Sequence, residues 1–208
     1  MNFHVNNTCS HAFYYLNNIK RIRKYLFRRS TETLIHAFVS SGVDYCNSLL
    51  YGLPAYQLHK LQRVQNAATR LIFQESKYCH VRPLLFNLHW LPVKFRIDFK
   101  ILLWTYKALN SLAPFYLQEL INLKEACTYK LSSDCDGPPL HPVKFKTLTA
   151  LGDRPFAVAG PQLWNSLPYA IRSSSSVAAV LLLLLFFSNY SFKSHLNFIS
   201  NFAFIFFS

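Results

Sequence analysis

The chain has 208 residues, enough for one sizeable core or for a small domain with an appendage. Its 22 Lys and Arg against 9 Asp and Glu give a formal net charge of +13, which favours polyanionic partners, either nucleic acid or an anionic membrane surface. The 5 cysteines are odd in number, widely spaced and without a CxxC pair, which argues against a disulfide framework or a zinc ribbon and for reduced thiols in an intracellular protein, cytoplasmic or nuclear.

The N-terminal run MNFHVNNTCSHAF has neither the basic start nor the long apolar stretch of a secretory signal, so the sequons at Asn6 and Asn189 read as chance matches. From Ala12 to Leu26, the apolar positions Ala12, Tyr15, Leu16, Ile19, Ile22 and Leu26 fall at helical spacing. Lys20, Arg21, Lys24 and Arg28 then occupy the opposite arc. No acidic residue precedes Glu32, which makes this the strongest local charge feature. Ser30 or Thr31 can cap a second helix, with Glu32 in its first turn near the positive dipole end. That helix is expected to bury Leu34, Ile35, Phe38 and Val39. It either pauses at Gly42 or runs through Leu49 and Leu50 before Gly52 and Pro54 stop it. A third helix carries Leu58, Leu61, Val64, Ala68 and Leu71 inward and Lys60, Arg63 and Arg70 outward.

Residues 10–73 are thus expected to form a three-helix unit with a basic exterior, and 80–123 a further helical region. Pro83 suits the first turn of a short helix ending at Leu88, and Pro92 the start of a longer one through Leu109. The longer helix is apolar around most of its circumference and should be central to a core. Pro114 permits another helix to about Leu123. Residues 124–176 change character: Ser132, Ser133, Asp134, Asp136, Gly137 and a group of prolines predict an irregular connection. FAVAGPQLWNSLP at 156–168 reads as a short extended segment that packs Phe156 and Trp164. Residues 177–208 form an apolar tail that opens with VAAVLLLLLFF. The fold class expected is mainly α: a helical bundle, further helices, an irregular region and this tail.

Several blocks carry a family resemblance. YCNSLLYGLPAYQLHKLQRVQNAATRL at 45–71 and LHWLPVKFRIDFKILLWTYKALNSLAP at 88–114 resemble the C-terminal part of a LINE-type, non-LTR retrotransposon reverse transcriptase. AFYYLNNIKRIRKYL at 12–26, STETLIHAFVSSGVDYCNSLL at 30–50 and GDRPFAVAGPQLWNSLPYAIRS at 152–173 look like further blocks of that family in the same order. The resemblance implies a right-hand polymerase in which this part of the chain is the helical thumb and a post-thumb region, with the catalytic and endonuclease parts upstream. Polymerase chemistry needs acidic side chains that hold two divalent metals. The chain has no adjacent Asp-Asp pair, and Asp134 and Asp136 lie in a Gly/Pro-rich stretch without the strand-turn-strand setting such a site needs. The expectation is a catalytically incompetent fragment, with no metal and no cofactor. The family's pattern also breaks after Ser176, where VLLLLLFFSNYS precedes Phe192, Lys193, Ser194, His195 and Leu196, as an insertion or an altered frame would leave it.

The candidate nucleic-acid-binding residues are Lys20, Arg21, Lys24, Arg28, Lys60, Arg63 and Arg70, which would neutralise phosphates of RNA or an RNA–DNA duplex without reading sequence. Association with a complete reverse transcriptase is a further expected partnership. His80, His89, His141 and His195 lack metal-ligand spacing with the cysteines, and no cysteine is marked as an activated nucleophile. Trp90, Trp104 and Trp164 sit in apolar contexts and read as core residues. The alternative class is a membrane-associated protein held through residues 177–207, where Val177–Phe187 supplies eleven apolar residues against the ~20 that a spanning helix needs.

Overall fold

A computed structural model of the chain describes residues 2–121 and 156–167, which are mainly helical, with no strand among them. The irregular connection expected from residue 124 up to 155 and the apolar tail lie outside the described residues. The chain divides into two compact units, residues 1–96 and 97–208.

In the first unit, helix α1 spans Asn2–Ile22 and starts ten residues before the apolar pattern places it. Its buried stripe is Val5, Cys9, Ala12, Leu16 and Ile19, an alternation of four- and three-residue steps that keeps one face inward. Ile22 and Tyr15, expected on that face, are exposed. The next position of the stripe is Arg23, which opens a single 3-10 turn, Arg23–Tyr25, and is buried.

Helix α2 begins at Arg28 with Phe27 as its N-cap, not at Ser30 or Thr31, and runs to Ile35. A π turn, His36–Ser40, joins it without a break to α3, Ser41–Asp44. Thr31, Ile35, Val39 and Val43 are buried at four-residue intervals. A regular α-helix would rotate such a series steadily out of line, and the wide turn restores its phase. Phe38, expected inside, is therefore 49% exposed and stacks on Tyr15 at 5.4 Å. The rod passes Gly42 and stops at Asp44; Cys46 then takes the left-handed conformation before a 3-10 turn, Asn47–Leu50.

Pro54 precedes α4, Ala55–Phe73, whose inner face includes Leu61, Val64, Ala68 and Ile72. Leu58 and Leu71, expected to point inward, are half-buried. Polar contacts from Asn2 to Tyr56 (3.5 Å) and from Lys60 to Asn6 (2.8 Å) at one end, and from Arg23 to Leu71 and Ile72 at the other, show that α1 and α4 run parallel. The α2–α3 rod returns between them, giving an up-down-up bundle. Helix α5, Val81–Asn87, has Pro83 in its first turn as expected. Trp90 N–H donates to Leu85 O at 2.9 Å and closes its C-terminal turn.

Helix α6, Val93–Leu109, begins directly after Pro92, and the division between units falls within it, after Arg96. In the second unit, Ile97, Phe99, Leu102, Leu103 and Tyr106 are buried, so the helix is covered around most of its girth as its composition predicts. α7 is shorter than expected, Phe115–Gln118. Residues 156–165 form a helix, α8, and not an extended segment. Gly160 and Pro161 are ordinarily helix breakers. Here Val158, Ala159, Gly160, Pro161 and Trp164 are all buried, and tertiary packing outweighs local propensity. Gly160 is required for that packing, because a Cβ there would lie 2.8 Å from Thr105 Oγ1 and 3.3 Å from Ile121 Cδ1. No helix among the described residues is long and apolar enough to cross a membrane.

Two glycine substitutions should move stability in opposite directions. Gly160→Ala meets the Thr105 hydroxyl, which already donates to Ile101 O at 3.0 Å and has little room to turn. It should cost about 1–3 kcal/mol. Gly42→Ala meets nothing within 4 Å, so the helical preference of alanine should add about 0.5–1 kcal/mol. Urea midpoints followed by far-ultraviolet circular dichroism should fall for the first and rise for the second.

Candidate nucleic-acid interface

The first 31 residues contain six lysines and arginines and no acid: Lys20, Arg21, Arg23, Lys24, Arg28 and Arg29. The bundle sorts them by helical phase. Arg23 continues the buried stripe of α1, is 9% exposed, and donates three hydrogen bonds to carbonyl oxygens. Its Nε reaches Leu71 O (3.1 Å), Nη2 reaches Ile72 O (2.8 Å) and Nη1 reaches Leu26 O (2.7 Å). Leu71 and Ile72 belong to the last turn of α4, where carbonyls run short of backbone N–H partners, Leu71 O accepting only a long 3.4 Å bond from the Gln74 cap, and where the helix dipole is negative. A cation satisfied in this way needs no carboxylate. It ties the end of α1, the α1–α2 corner and the end of α4 into one joint.

With Arg23 turned inward, Lys20, Arg21, Lys24, Arg28 and Arg29 stand exposed around that joint. None has a carboxylate partner among the described residues; the one ion pair found there is Arg96 with Asp44. Lys24 Nζ lies 4.7 Å from the centre of the Tyr25 ring, and the Arg28 guanidinium lies 4.2 Å from that of Phe73. The other three predicted residues are placed differently. Lys60 donates to Asn6 Oδ1 at 2.8 Å and, with exposed Arg63, belongs to the opposite half of the bundle, near Cys9. Arg70 is half-buried and directs Nε and Nη2 to Cys79 O (3.3 and 3.0 Å), holding the loop after α4. Four of the seven candidates, Lys20, Arg21, Lys24 and Arg28, therefore share one corner.

Arg23 escapes notice as a structural residue when the apolar run is read from Ala12 and not from Val5. The four-three alternation from Val5 through Ile19 predicts position 23 as the next inward one. A second buried arginine is equally silent in the sequence. Arg96 pairs with Asp44 at 2.6 Å, with side chains 7% and 28% exposed, and donates from Nε to Leu91 O at 3.1 Å. Leu91 O also accepts from Gln65 Nε2 (2.8 Å), and Gln62 Oε1 accepts from Val93 N–H (2.9 Å), capping α6 from α4. His36 meets Trp90 edge to face at 5.1 Å beside this pair. Burial, and then the Arg96 charge, lower the His36 pKa against the smaller opposing effect of Asp44.

Among the described residues no group of three or more His, Cys, Asp or Glu is placed to hold a metal ion. Cys9, Cys46 and Cys79 are free thiols, and burial raises the Cys9 pKa despite Lys60 and Arg63, which keeps that thiol protonated. Trp90 and Trp164 are buried in accord with the sequence reading, while Trp104 is half-buried.

Arg23→Met should cost about 2–4 kcal/mol, since three carbonyls lose a charged donor, whereas Lys24→Ala should stay within about 0.5 kcal/mol; urea unfolding separates the two. His36 should also make stability pH-dependent. Its folded pKa lies below the ordinary 6.5, so the unfolded chain binds the proton more readily. Stability should fall as the pH drops through about 6.5, the unfolded-state value, and level off below the folded pKa. His36→Phe should flatten that slope in unfolding curves taken across the same range.

Comparison of the chain with protein-family models, with curated proteins and with solved structures found no match.

Proposed function

We propose that this chain is a catalytically incompetent fragment of a retrotransposon RNA-directed DNA polymerase whose first helical unit grips RNA or an RNA–DNA duplex through phosphates, independently of sequence. The origin rests on the five ordered sequence blocks between residues 12 and 173. The binding rests on one observation: Lys20, Arg21, Lys24, Arg28 and Arg29 are exposed at one corner with no carboxylate partner among the described residues. Charges neutralised internally contribute nothing to a polyanion, and these are not neutralised. Release of counterions from phosphates is the driving force available to such a cluster. No polymerase step is assigned to these residues, because two-metal chemistry needs clustered acids.

The same cluster would also meet an anionic membrane surface. The test sets the two polyanions side by side: fluorescence anisotropy with labelled RNA and RNA–DNA duplex, and cosedimentation with phosphatidylserine vesicles, across a salt series. Four or five phosphate contacts predict that the logarithm of duplex affinity falls against log salt with a slope of about −4. Reversing Lys20, Arg21, Lys24 and Arg28 to Glu should abolish nucleic-acid binding. Affinity that ignores salt, that survives the reversal, or that appears only with vesicles contradicts the reading.

A further inference from the structure

Two aromatic rings stand among the cations of the α1–α2 corner with almost no cover. Tyr25 is 75% exposed and Phe27 is 85% exposed. Isolated exposed aromatics are common on protein surfaces. These two differ in being mounted on a backbone fixed at both ends. Around Tyr25, Arg23 holds the turn by donating to Leu26 O, and Leu26 N–H donates to Arg23 O at 3.2 Å. After them, Phe27 O accepts from both the N–H and the hydroxyl of Thr31, each at 3.1 Å. The rings are presented, with little main-chain freedom to lose on binding.

Their neighbours are the cations already assigned to phosphate. Lys24 lies over Tyr25, and Arg28 and Arg29 directly follow Phe27. A duplex offers phosphates and groove edges, but its base faces are stacked inside. Only an unpaired strand offers phosphates and free base faces together, and aromatic platforms interleaved with cations match both. We infer that the corner from Lys20 to Arg29 is a binding site for single-stranded nucleic acid, in which Tyr25 and Phe27 stack on bases while Lys20, Arg21, Lys24, Arg28 and Arg29 hold the backbone. This rests on the phosphate-binding reading above and narrows its ligand to an unpaired strand. Stacking is tolerant of base identity, so no sequence preference is required.

The experiment compares a labelled 12-nucleotide oligouridylate with a 12-base-pair RNA duplex, binding to the full chain at fixed salt. Tyr25→Leu with Phe27→Leu keeps apolar bulk and removes the ring faces. It should weaken oligouridylate binding by about tenfold or more, leave duplex binding within about twofold and leave the salt slope unchanged. Tyr25→Trp with Phe27→Trp should restore single-strand affinity. Far-ultraviolet circular dichroism should show that both variants keep their helices, as substitution at exposed sites predicts. Unchanged oligouridylate binding in the leucine variant, with loss on reversal of Lys20, Arg21, Lys24 and Arg28, overturns the stacking site and leaves the phosphate reading intact. Equal weakening of single strand and duplex also overturns it. Binding that survives the charge reversal overturns both.

Discussion

A guanidinium buried against three carbonyl oxygens determines how the first unit is assembled. Arg23 sits where the inward stripe of α1 meets the end of α4, and two of its donors meet carbonyls of the last turn of α4, Ile72 O and Leu71 O, the latter otherwise accepting only a long 3.4 Å bond from Gln74 N–H. The bundle could have closed this joint with an apolar side chain, but the carbonyls of Leu71 and Ile72 would then lose that donor. An arginine satisfies both and fixes the course of the α1–α2 corner. Everything proposed for function depends on that fixed course, because it decides which side chains face solvent.

The unit contains two buried arginines with different solutions to the same electrostatic problem. Arg96 is neutralised by a carboxylate, Asp44, and also draws on Leu91 O. Arg23 has no carboxylate and draws on helix-end dipoles instead. The first solution pairs cation with acid and leaves no net charge. The second keeps a positive centre behind the exposed Lys20, Arg21, Lys24, Arg28 and Arg29, so the positive character of the corner belongs to the fold as well as to its surface. His36 lies beside the neutralised pair and has its pKa lowered for a related reason, since burial and a neighbouring guanidinium both disfavour its cation.

Much of the helical outline is legible in the chain. Pro54 and Pro92 immediately precede α4 and α6, and Pro83 lies in the first turn of α5, because proline fixes a backbone angle suited to those positions. What cannot be read depends on tertiary contact. The π turn at His36–Ser40 has no local signature, yet it sets whether Phe38 or Val39 faces inward. The stretch from Phe156 reads as extended because Gly160 and Pro161 oppose a helix in isolation. The close approach of Thr105 to Gly160 shows that the glycine serves packing, a reason that lies fifty-five residues away in sequence. For the candidate site, charge density marks the segment where exposed cations gather, but helical phase removes Arg23 from the solvent face and the Cys79 carbonyl engages Arg70. Tyr25 and Phe27 carry no signal as binding groups, since an aromatic beside a basic residue looks the same in sequence whether it is buried or bare.

The family resemblance proposes a parent, and the geometry proposes what the helices of the first unit can hold; the two meet at the segment from Lys20 to Arg29. The most direct measurement is ultraviolet crosslinking of oligouridylate to the full-length chain, with adducts located by mass spectrometry of the digested protein. Adducts should concentrate between residues 20 and 29, on Tyr25 and Phe27. Adducts confined to α4 around Lys60 and Arg63, or to residues beyond 176, would contradict this.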